Sequence, residues 1–209
     1  MSPSEKIRQE AITRGVSLLF HFTPASNIES ILEYGLLSRE VLAQHNAPFF
    51  PTDSWRNDGR LGAVSLSVHS INEGMFARKK WELNTEWMIL AIDASILWTL
   101  PCRFCWDNAA ATAIVAHTGF LGGPWAFGRM FEDQPVSRMD PGSLRQAQGR
   151  QDCQPTQNAA EVQVLSPIDP DLILGVAVRN GGVKAALEDT MGRLKRVRPV
   201  VVDGYLSQR

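Results

Sequence analysis

The sequence predicts an α+β fold, and three observations support that class. Segments typical of helices and of strands follow one another in an irregular order, unlike the βαβα alternation of a parallel α/β sheet. The 209 residues are enough for a core that needs no disulfide bonds. Hydrophobic residues make up 44% of the chain and charged residues 21%, which excludes a disordered chain or a coiled-coil rod. We therefore expect a single domain over residues 1–209.

Capping and turn residues bound the first predicted elements. Ser2 and Glu5 make the S-x-x-E pattern of a capping box, so we expect a helix from there to about Arg14. Glycine accepts the left-handed conformation at a helix end, which predicts that two helices end at Gly15 and Gly35. Hydrophobic patterning and turn residues predict a strand at 18–22, a helix between 24 and 35 and a long loop at 46–62.

The rest of the chain continues to alternate between strand and helix patterns. Strands are expected at 63–68, 87–93, 161–165 and 198–202, with a further apolar segment at 172–178, and helices at 75–81, 125–131 and 183–194. Between them, residues 132–159 contain six Gln, three Arg and three Pro and show no periodicity. A loop of that length inside a compact domain is usually functional or disordered.

Charge and composition exclude several classes of protein. The 21 Lys and Arg residues nearly balance 22 Asp and Glu residues, which excludes a basic nucleic-acid coat but not a local basic groove. Apolar runs fall short of the roughly 18 residues of a membrane span, and the first residues lack a secretory signal. We expect a cytoplasmic monomer without membrane contact. Cys102 and Cys105 lack the second ligand pair of a zinc site, so packed, reduced thiols and no metal are expected.

The sequence contains no phosphate-binding glycine loop, H-E-x-x-H or G-x-S-x-G motif, which argues against the commonest NTPases, metalloproteases and hydrolases. Taken singly, the remaining polar residues are open to two interpretations. His21 is either a ligand-binding residue or a core histidine, and Glu161 is either catalytic or an edge-strand charge. Met75 and Phe76 fit a core equally well, and Asn108 could cap a helix.

Seven short sequence blocks occur in the order found in a known protein family. These blocks are His21-Phe22-Thr23-x3-Asn27-x2-Ser30-Ile31-Leu32-x2-Gly35-Leu36-Leu37, Val64–Val68, Met75-Phe76, Ile96–Trp98, Cys102-x-Phe104-Cys105-x2-Asn108-Ala109-Ala110, Phe127-x2-Met130-Phe131 and Ala160–Val164-x2-Pro167-Ile168. Together they resemble the DarT family of DNA ADP-ribosyltransferase toxins over about residues 18–170.

The resemblance implies a mono-ADP-ribosyltransferase fold, with two packed, mainly antiparallel sheets, flanking helices and a central NAD cleft. It implies that NAD is the substrate and that the residues binding it are His21, Thr23, Asn27, Leu37, Arg60, Ser65, Met75, Phe76 and Arg78. Glu161 takes the place of the family's catalytic glutamate. Loss of nicotinamide creates a cation-like ribose, which a nearby carboxylate can stabilise while it accepts the nucleophile's proton.

The resemblance also implies a nucleic-acid acceptor. The 132–159 segment becomes a substrate-recognition loop, and the expected nucleic-acid contacts are Asn108, Arg138, Arg145 and Arg150. Ala159 stands where many family members have Gln, and no Pro-Arg-x-Pro precedes Met75. The Phe-Cys-x2-Asn-Ala-Ala block is nearer the guanosine-modifying branch.

We therefore expect transfer to guanine in single-stranded DNA, by a toxin paired with a macrodomain antitoxin. RNA or protein acceptors, and a catalytically silent nucleic-acid-binding module of the same fold, remain alternatives.

Overall fold

The structure is a computed structural model that describes residues 1–45, 49–50 and 58–203, with only the backbone described at His45. The helices in this part of the chain are α1 (Pro3–Arg14), α2 (Ile28–Tyr34), α3 (Arg39–His45), α4 (Glu73–Glu82), α5 (Ile96–Thr99), α6 (Thr112–Val115), α7 (Pro124–Arg129), α8 (Leu144–Ala147) and α9 (Gly181–Arg193). The strands are β1 (Leu18–Pro24), β2 (Val64–Val68), β3 (Trp87–Asp93), β4 (Cys102–Cys105), β5 (Glu161–Val164), β6 (Ile173–Val178) and β7 (Val200–Val202).

The local signals in the sequence locate several element ends. The Ser2 hydroxyl accepts a hydrogen bond from the Glu5 N–H, and the Glu5 carboxylate accepts one from the Ser2 N–H, so the capping box is confirmed. Gly15 and Gly35 adopt φ values of 73° and 91° at the predicted helix ends. At Gly35 a Cβ atom would also lie 2.5 Å from the carbonyl oxygen of Ile168, so the position requires glycine on two grounds.

Short elements are absent from the sequence prediction. It omits β4 and the helices α5, α6 and α8, because four residues are too few to establish a period of 2 or 3.6. It also omits α3, which has seven residues. Helix α8 lies within the predicted 132–159 loop, which therefore has local structure. Residues 46–48 and 51–57 of the predicted 46–62 loop lie outside the described residues.

The described strands neighbour one another in the order β4-β5-β2-β1-β3-β6-β7 and make one sheet, mostly antiparallel. Strand β6 pairs antiparallel to β3, with Val176 opposite Leu90, and parallel to β7, with Val176 opposite Val200. This sheet and its helices agree with the expected α+β class. The division into two packed sheets is not confirmed.

Contacts divide the chain into two compact units. The first unit comprises Met1–Leu19, Ser65–Asn72 and Ala94–Leu165, and the second comprises Phe20–Val64, Glu73–Asp93 and Ser166–Arg209. In the first unit, α1 packs on α5 and α7, and the ring of Phe127 makes edge contacts with Phe104 and Phe131 at 5.1 and 5.2 Å between centroids. A single domain over 1–209 stays a prediction.

The core of the second unit lies on β3. Residues 87–90 of this strand are buried, and the rings of Phe22, Phe76 and Trp87 pack together with centroids 5.1–6.0 Å apart. Phe22 belongs to β1 and Phe76 to α4, so this aromatic contact fixes α4 against the last residues of β1. None of the helices in the described ranges is long and apolar enough to cross a membrane.

Candidate active site

The end of β1 carries the first group of predicted site residues. Thr23 is only 5% exposed, and its hydroxyl oxygen accepts a 2.9 Å hydrogen bond from Nδ2 of Asn27, which is also buried. The Asn27 side chain also bonds the backbone of Phe50, accepting from its N–H at 2.7 Å and donating to its carbonyl at 3.1 Å. Asn27 therefore orients Thr23, whose hydroxyl still has its own proton to donate. His21 is half-buried on the same strand.

The other predicted NAD residues of the second unit differ in exposure. Arg60 is exposed in a tight turn, in which its N–H donates to Asp58 Oδ1 at 3.2 Å. Leu37 is half-buried beside the paired backbone hydrogen bonds that join Leu36 to Ile168. Arg78 reaches Glu82 at 3.6 Å on the exposed side of α4, a type of ion pair that contributes little to stability.

Met75 and Phe76 occupy different environments on α4. Met75 is half-buried, whereas Phe76 is 2% exposed within the aromatic core of the second unit. Phe76 therefore supports β1 by packing. Ser65, also predicted to bind NAD, is half-buried on β2 and belongs to the first unit.

Glu161 opens β5 in the first unit and is held by a backbone donor. Its Oε1 accepts a 2.7 Å hydrogen bond from the N–H of Ala109. That N–H belongs to a tight turn in which Asn108 Oδ1 accepts from the Ala110 N–H at 2.9 Å, and the Asn108 carbonyl accepts from the Ala111 N–H at 2.8 Å. Asn108 thus shapes the turn that orients the carboxylate.

The register of β4 and β5 shows what shares a face with Glu161. Cys105 lies opposite Glu161 and Arg103 lies opposite Gln163, so these four side chains are on one face of the pair. The Arg103 guanidinium donates a hydrogen bond to Oε1 of Gln163, which is fully buried. Neither Arg103 nor Gln163 is among the predicted site residues, although the alternation in Glu161-Val162-Gln163-Val164 is a usable signal for a polar face.

The two cysteines of the C-x-x-C motif point to opposite faces of β4. Residues three apart on a strand are separated by about 10 Å along it, so these thiols cannot share a metal ion or a disulfide. Both are buried, Cys102 donates to the carbonyl of Ile96 at 3.5 Å, and burial raises the pKa of Cys102 to about 12. In the described ranges, no group of three His, Cys, Asp or Glu side chains is placed to hold a metal ion.

The arginines of the 132–159 segment have different surroundings. The Arg145 guanidinium donates to the carbonyls of Gln151 and Gln154 at 2.8 and 2.9 Å and to the Thr156 hydroxyl at 3.0 Å. Arg145 therefore stabilises the segment from within, and its role as a nucleic-acid contact stays a prediction. Arg150 donates to Oε1 of Gln148 at 3.0 Å, and Arg138 is exposed.

A family profile described as "ssDNA thymidine ADP-ribosyltransferase, DarT" matches residues 20–205. No curated protein matches the chain. The fold is similar to that of Thermus sp. 2.9 DarT in complex with ADP-ribosylated ssDNA, with a TM-score of 0.65 and 15% identity over 93% of this chain and 97% of that one.

Two further solved structures show the same fold. Thermus sp. 2.9 DarT in complex with NAD+ gives a TM-score of 0.59 and 16% identity over 91% of this chain and 97% of that one. Thermosipho africanus DarTG in complex with ADP-ribose gives 0.58 and 15% identity over 91% of this chain. The chain spans 50% of the length of the Thermosipho protein.

The family profile covers most of the chain, which confirms the predicted enzyme class, an NAD-dependent ADP-ribosyltransferase. Its description names thymidine, so the expected guanine acceptor finds no support in it. This chain belongs to the DarT family of single-stranded-DNA ADP-ribosyltransferases.

Proposed function

We propose that this protein transfers ADP-ribose from NAD to a base in single-stranded DNA, with Glu161 as the catalytic carboxylate. The observation that carries the proposal is the hydrogen bond from Ala109 to Glu161 at the start of β5. The Ala109 N–H belongs to the backbone, so it fixes Oε1 of Glu161 relative to the turn that follows β4. A glutamate held in this way suits both charge stabilisation and proton transfer.

Glu161 acts while ADP-ribose passes from nicotinamide to the acceptor base. The bond between the ribose C1′ and the nicotinamide nitrogen breaks, and its electron pair leaves with nicotinamide, whose ring nitrogen loses its positive charge. The acceptor base forms the new bond to C1′ and loses one proton. Glu161 stabilises the positive charge that develops on the ribose and accepts that proton, a role in which its benefit arises mainly in the transition state.

The second unit supplies side chains suited to the two ends of NAD. His21 and Thr23 hold the nicotinamide side, with Thr23 fixed by Asn27 at 2.9 Å. Arg60 and Arg78 bind the pyrophosphate, because a guanidinium fork matches phosphate oxygens and both side chains lie in solvent. Arg78 exchanges its loose contact with Glu82 for the stronger bond to phosphate.

Two acceptor bases are distinguishable by experiment. Thymine is the base named for the matched family, and we take it as the first candidate. Guanine is the second, because the Asn108-Ala109-Ala110 turn that contacts Glu161 belongs to the block nearer the guanosine-modifying branch. A toxin function held in check by a macrodomain antitoxin completes the proposal, and single-stranded DNA is the nucleic acid that its substrate loop reads.

The test is to incubate the protein with NAD and single-stranded oligonucleotides that differ at one base. Mass spectrometry then measures the gain of one ADP-ribose, with Glu161→Gln as the matched inactive variant. Modification of oligonucleotides that contain thymine, or only of those that contain guanine, identifies the acceptor. Modification of RNA or of protein in place of DNA contradicts the proposed substrate, and binding without any modification indicates a silent module.

A further inference from the structure

The first unit carries a cluster of aromatic rings, part of it exposed, that the proposed chemistry does not use. Trp106, His117 and Trp125 pack with centroids 5.1–5.7 Å apart, and the imidazole of His117 stacks on Trp125 with an angle of 16° between the planes. The guanidinium of Arg129 lies over Trp106 at 5.4 Å and over Trp125 at 5.9 Å. With the neighbouring Phe120, these residues form what we call the aromatic surface.

Two members of the aromatic surface face solvent. Phe120 is 81% exposed and Trp125 is 57% exposed. The ring of Phe120 lies on Gly122 and Gly123, and a Cβ atom at Gly122 would be 2.6 Å from that ring and 2.9 Å from the carbonyl of Cys102. The glycines therefore provide a flat support on which an exposed ring is held in place.

Two polar side chains pack in the aromatic surface with a nitrogen atom that makes no hydrogen bond in the described part of the chain. Nε2 of His117 and Nε of Arg129 are buried and have no hydrogen-bond partner among the described residues. Buried polar atoms without partners are rare in folded proteins, so each one calls for an explanation, such as a functional role or a bound water. Arg129 also forms an ion pair with Glu132, which holds the guanidinium over the two indole rings.

The aromatic surface begins next to Glu161. Trp106 directly follows Cys105, the residue opposite Glu161 in the β4–β5 register. Three residues further on, the Ala109 N–H contacts the Glu161 carboxylate. One short stretch of chain, from Trp106 to Ala109, therefore connects the aromatic surface to the proposed catalytic group.

We propose that Phe120 and Trp125 stack on unpaired bases of the single-stranded DNA that flank the modified base. This inference rests on the proposed function and adds the residues that hold the acceptor strand. Exposed planar rings beside a guanidinium are the usual platform for single-stranded nucleic acid, because every base has a π-face. A protein partner is a poorer fit, since each side of a stable protein interface buries about 800 Å², much more than two exposed rings offer.

The test compares oligonucleotide binding by four variants in a Glu161→Gln background, where the substrate is not consumed. Phe120→Ala and Trp125→Ala remove the rings, and Phe120→Trp and Phe120→Leu distinguish a π-face from an apolar side chain of similar size. Trp81→Ala is the matched control, because Trp81 is 88% exposed on α4 and far from the aromatic surface in sequence. Fluorescence anisotropy of a labelled oligonucleotide gives the affinity, and circular dichroism verifies folding.

We expect each alanine variant to weaken binding by about 5- to 100-fold, the range that loss of one base–aromatic stack produces. Phe120→Trp retains affinity, Phe120→Leu does not, and Trp81→Ala matches the parent protein. An oligonucleotide that lacks the base facing the ring loses the same stacking free energy. The loss of affinity from Phe120→Ala and the loss from the abasic site therefore do not add. If Trp125→Ala unfolds, the Phe120 series decides, because its exposed ring leaves the core intact.

Four results overturn the inference. If both alanine variants bind the oligonucleotide as tightly as the parent protein, the rings do not stack on bases. Transfer of ADP-ribose to DNA by the parent protein still supports the proposed function in that case. Full affinity in Phe120→Leu shows that the side chain contributes only apolar surface. Unchanged DNA affinity together with lost binding of a protein partner assigns the aromatic surface to that partner. Absence of any DNA binding and modification by the parent chain refutes the proposed function as well.

Discussion

The backbone N–H of Ala109 donates a 2.7 Å hydrogen bond to Oε1 of Glu161, 52 residues further along the chain. A backbone donor cannot rotate away as a side chain can, so the carboxylate is fixed relative to the strand that carries it. A carboxylate held in this way suits a group that stabilises a developing cation.

The first prediction concerns the charge of Glu161. In Glu161→Gln the amide keeps the shape of the side chain and its oxygen still accepts the Ala109 N–H, but the negative charge is lost. We expect the turnover rate for DNA modification to fall by about 10²- to 10⁴-fold, with little change in thermal stability. The measurement is single-turnover transfer to an oligonucleotide. Glu188→Gln, at an exposed site on α9, is the control. Turnover within a few-fold of the parent in Glu161→Gln contradicts the catalytic role.

The second prediction separates two roles of Asn108. If Asn108 orients Glu161 through its turn, Asn108→Ala lowers kcat by about 5- to 10-fold, the effect of one lost hydrogen bond, and leaves the KM for DNA unchanged. Asn108→Asp keeps the kcat of the parent protein, because its carboxylate still accepts the hydrogen bond from the Ala110 N–H. Steady-state kinetics over a range of oligonucleotide concentrations measure both constants. A raised KM and altered base preference in Asn108→Asp show instead that Asn108 reads the acceptor base.

The sequence predicts the parts of the fold that depend on neighbouring residues. The capping box of Ser2 and Glu5 and the left-handed Gly35 follow from local chemistry, which any window of the sequence contains. The contact between Ala109 and Glu161 depends on the register of β4 with β5, which short-range patterns do not encode. Recognition of the family identified Glu161 as a candidate, but its hydrogen-bond donor could be found only in the structure.

The composition of the 132–159 segment does not indicate what its arginines contact. Its arginines suggest a basic surface, yet the guanidinium of Arg145 is bound to the carbonyls of Gln151 and Gln154. A charged side chain within a loop serves either the loop or a ligand, and the sequence contains no signal that distinguishes them. Likewise, the motif Met75-Phe76 resembles a ligand site, although the ring of Phe76 is buried in the core.

The third prediction concerns pH and Cys102. Burial raises the pKa of this thiol from its ordinary value of 9.0 to about 12, so the folded protein retains a proton that the unfolded chain loses. This contribution to stability is fully present below pH 9.0 and is lost as the pH rises toward 12. We expect Cys102→Val to show a shallower alkaline loss of stability than the parent. Urea unfolding at stepwise higher pH measures it, and equal pH slopes for the two proteins contradict it.

The last prediction concerns the roles of Arg145 and Arg138, of which the first stabilises the loop and the second is exposed to solvent. Arg145→Ala removes three hydrogen bonds to Gln151, Gln154 and Thr156, so we expect the unfolding free energy to fall by about 1–3 kcal/mol, with faster proteolysis in residues 132–159. Arg138 is exposed, so Arg138→Ala changes stability by less than about 0.5 kcal/mol.

Binding measurements complete this comparison. If Arg138 contacts a DNA phosphate, Arg138→Ala weakens binding to all oligonucleotides alike and lowers the slope of log affinity against log salt concentration by about 1. Chemical denaturation and anisotropy titrations across a salt series test both variants, with Arg145→Lys included because a single ammonium cannot span the three acceptors. Normal stability in Arg145→Ala together with a reduced salt slope means that Arg145 binds DNA directly, and the structural role assigned to it is then wrong.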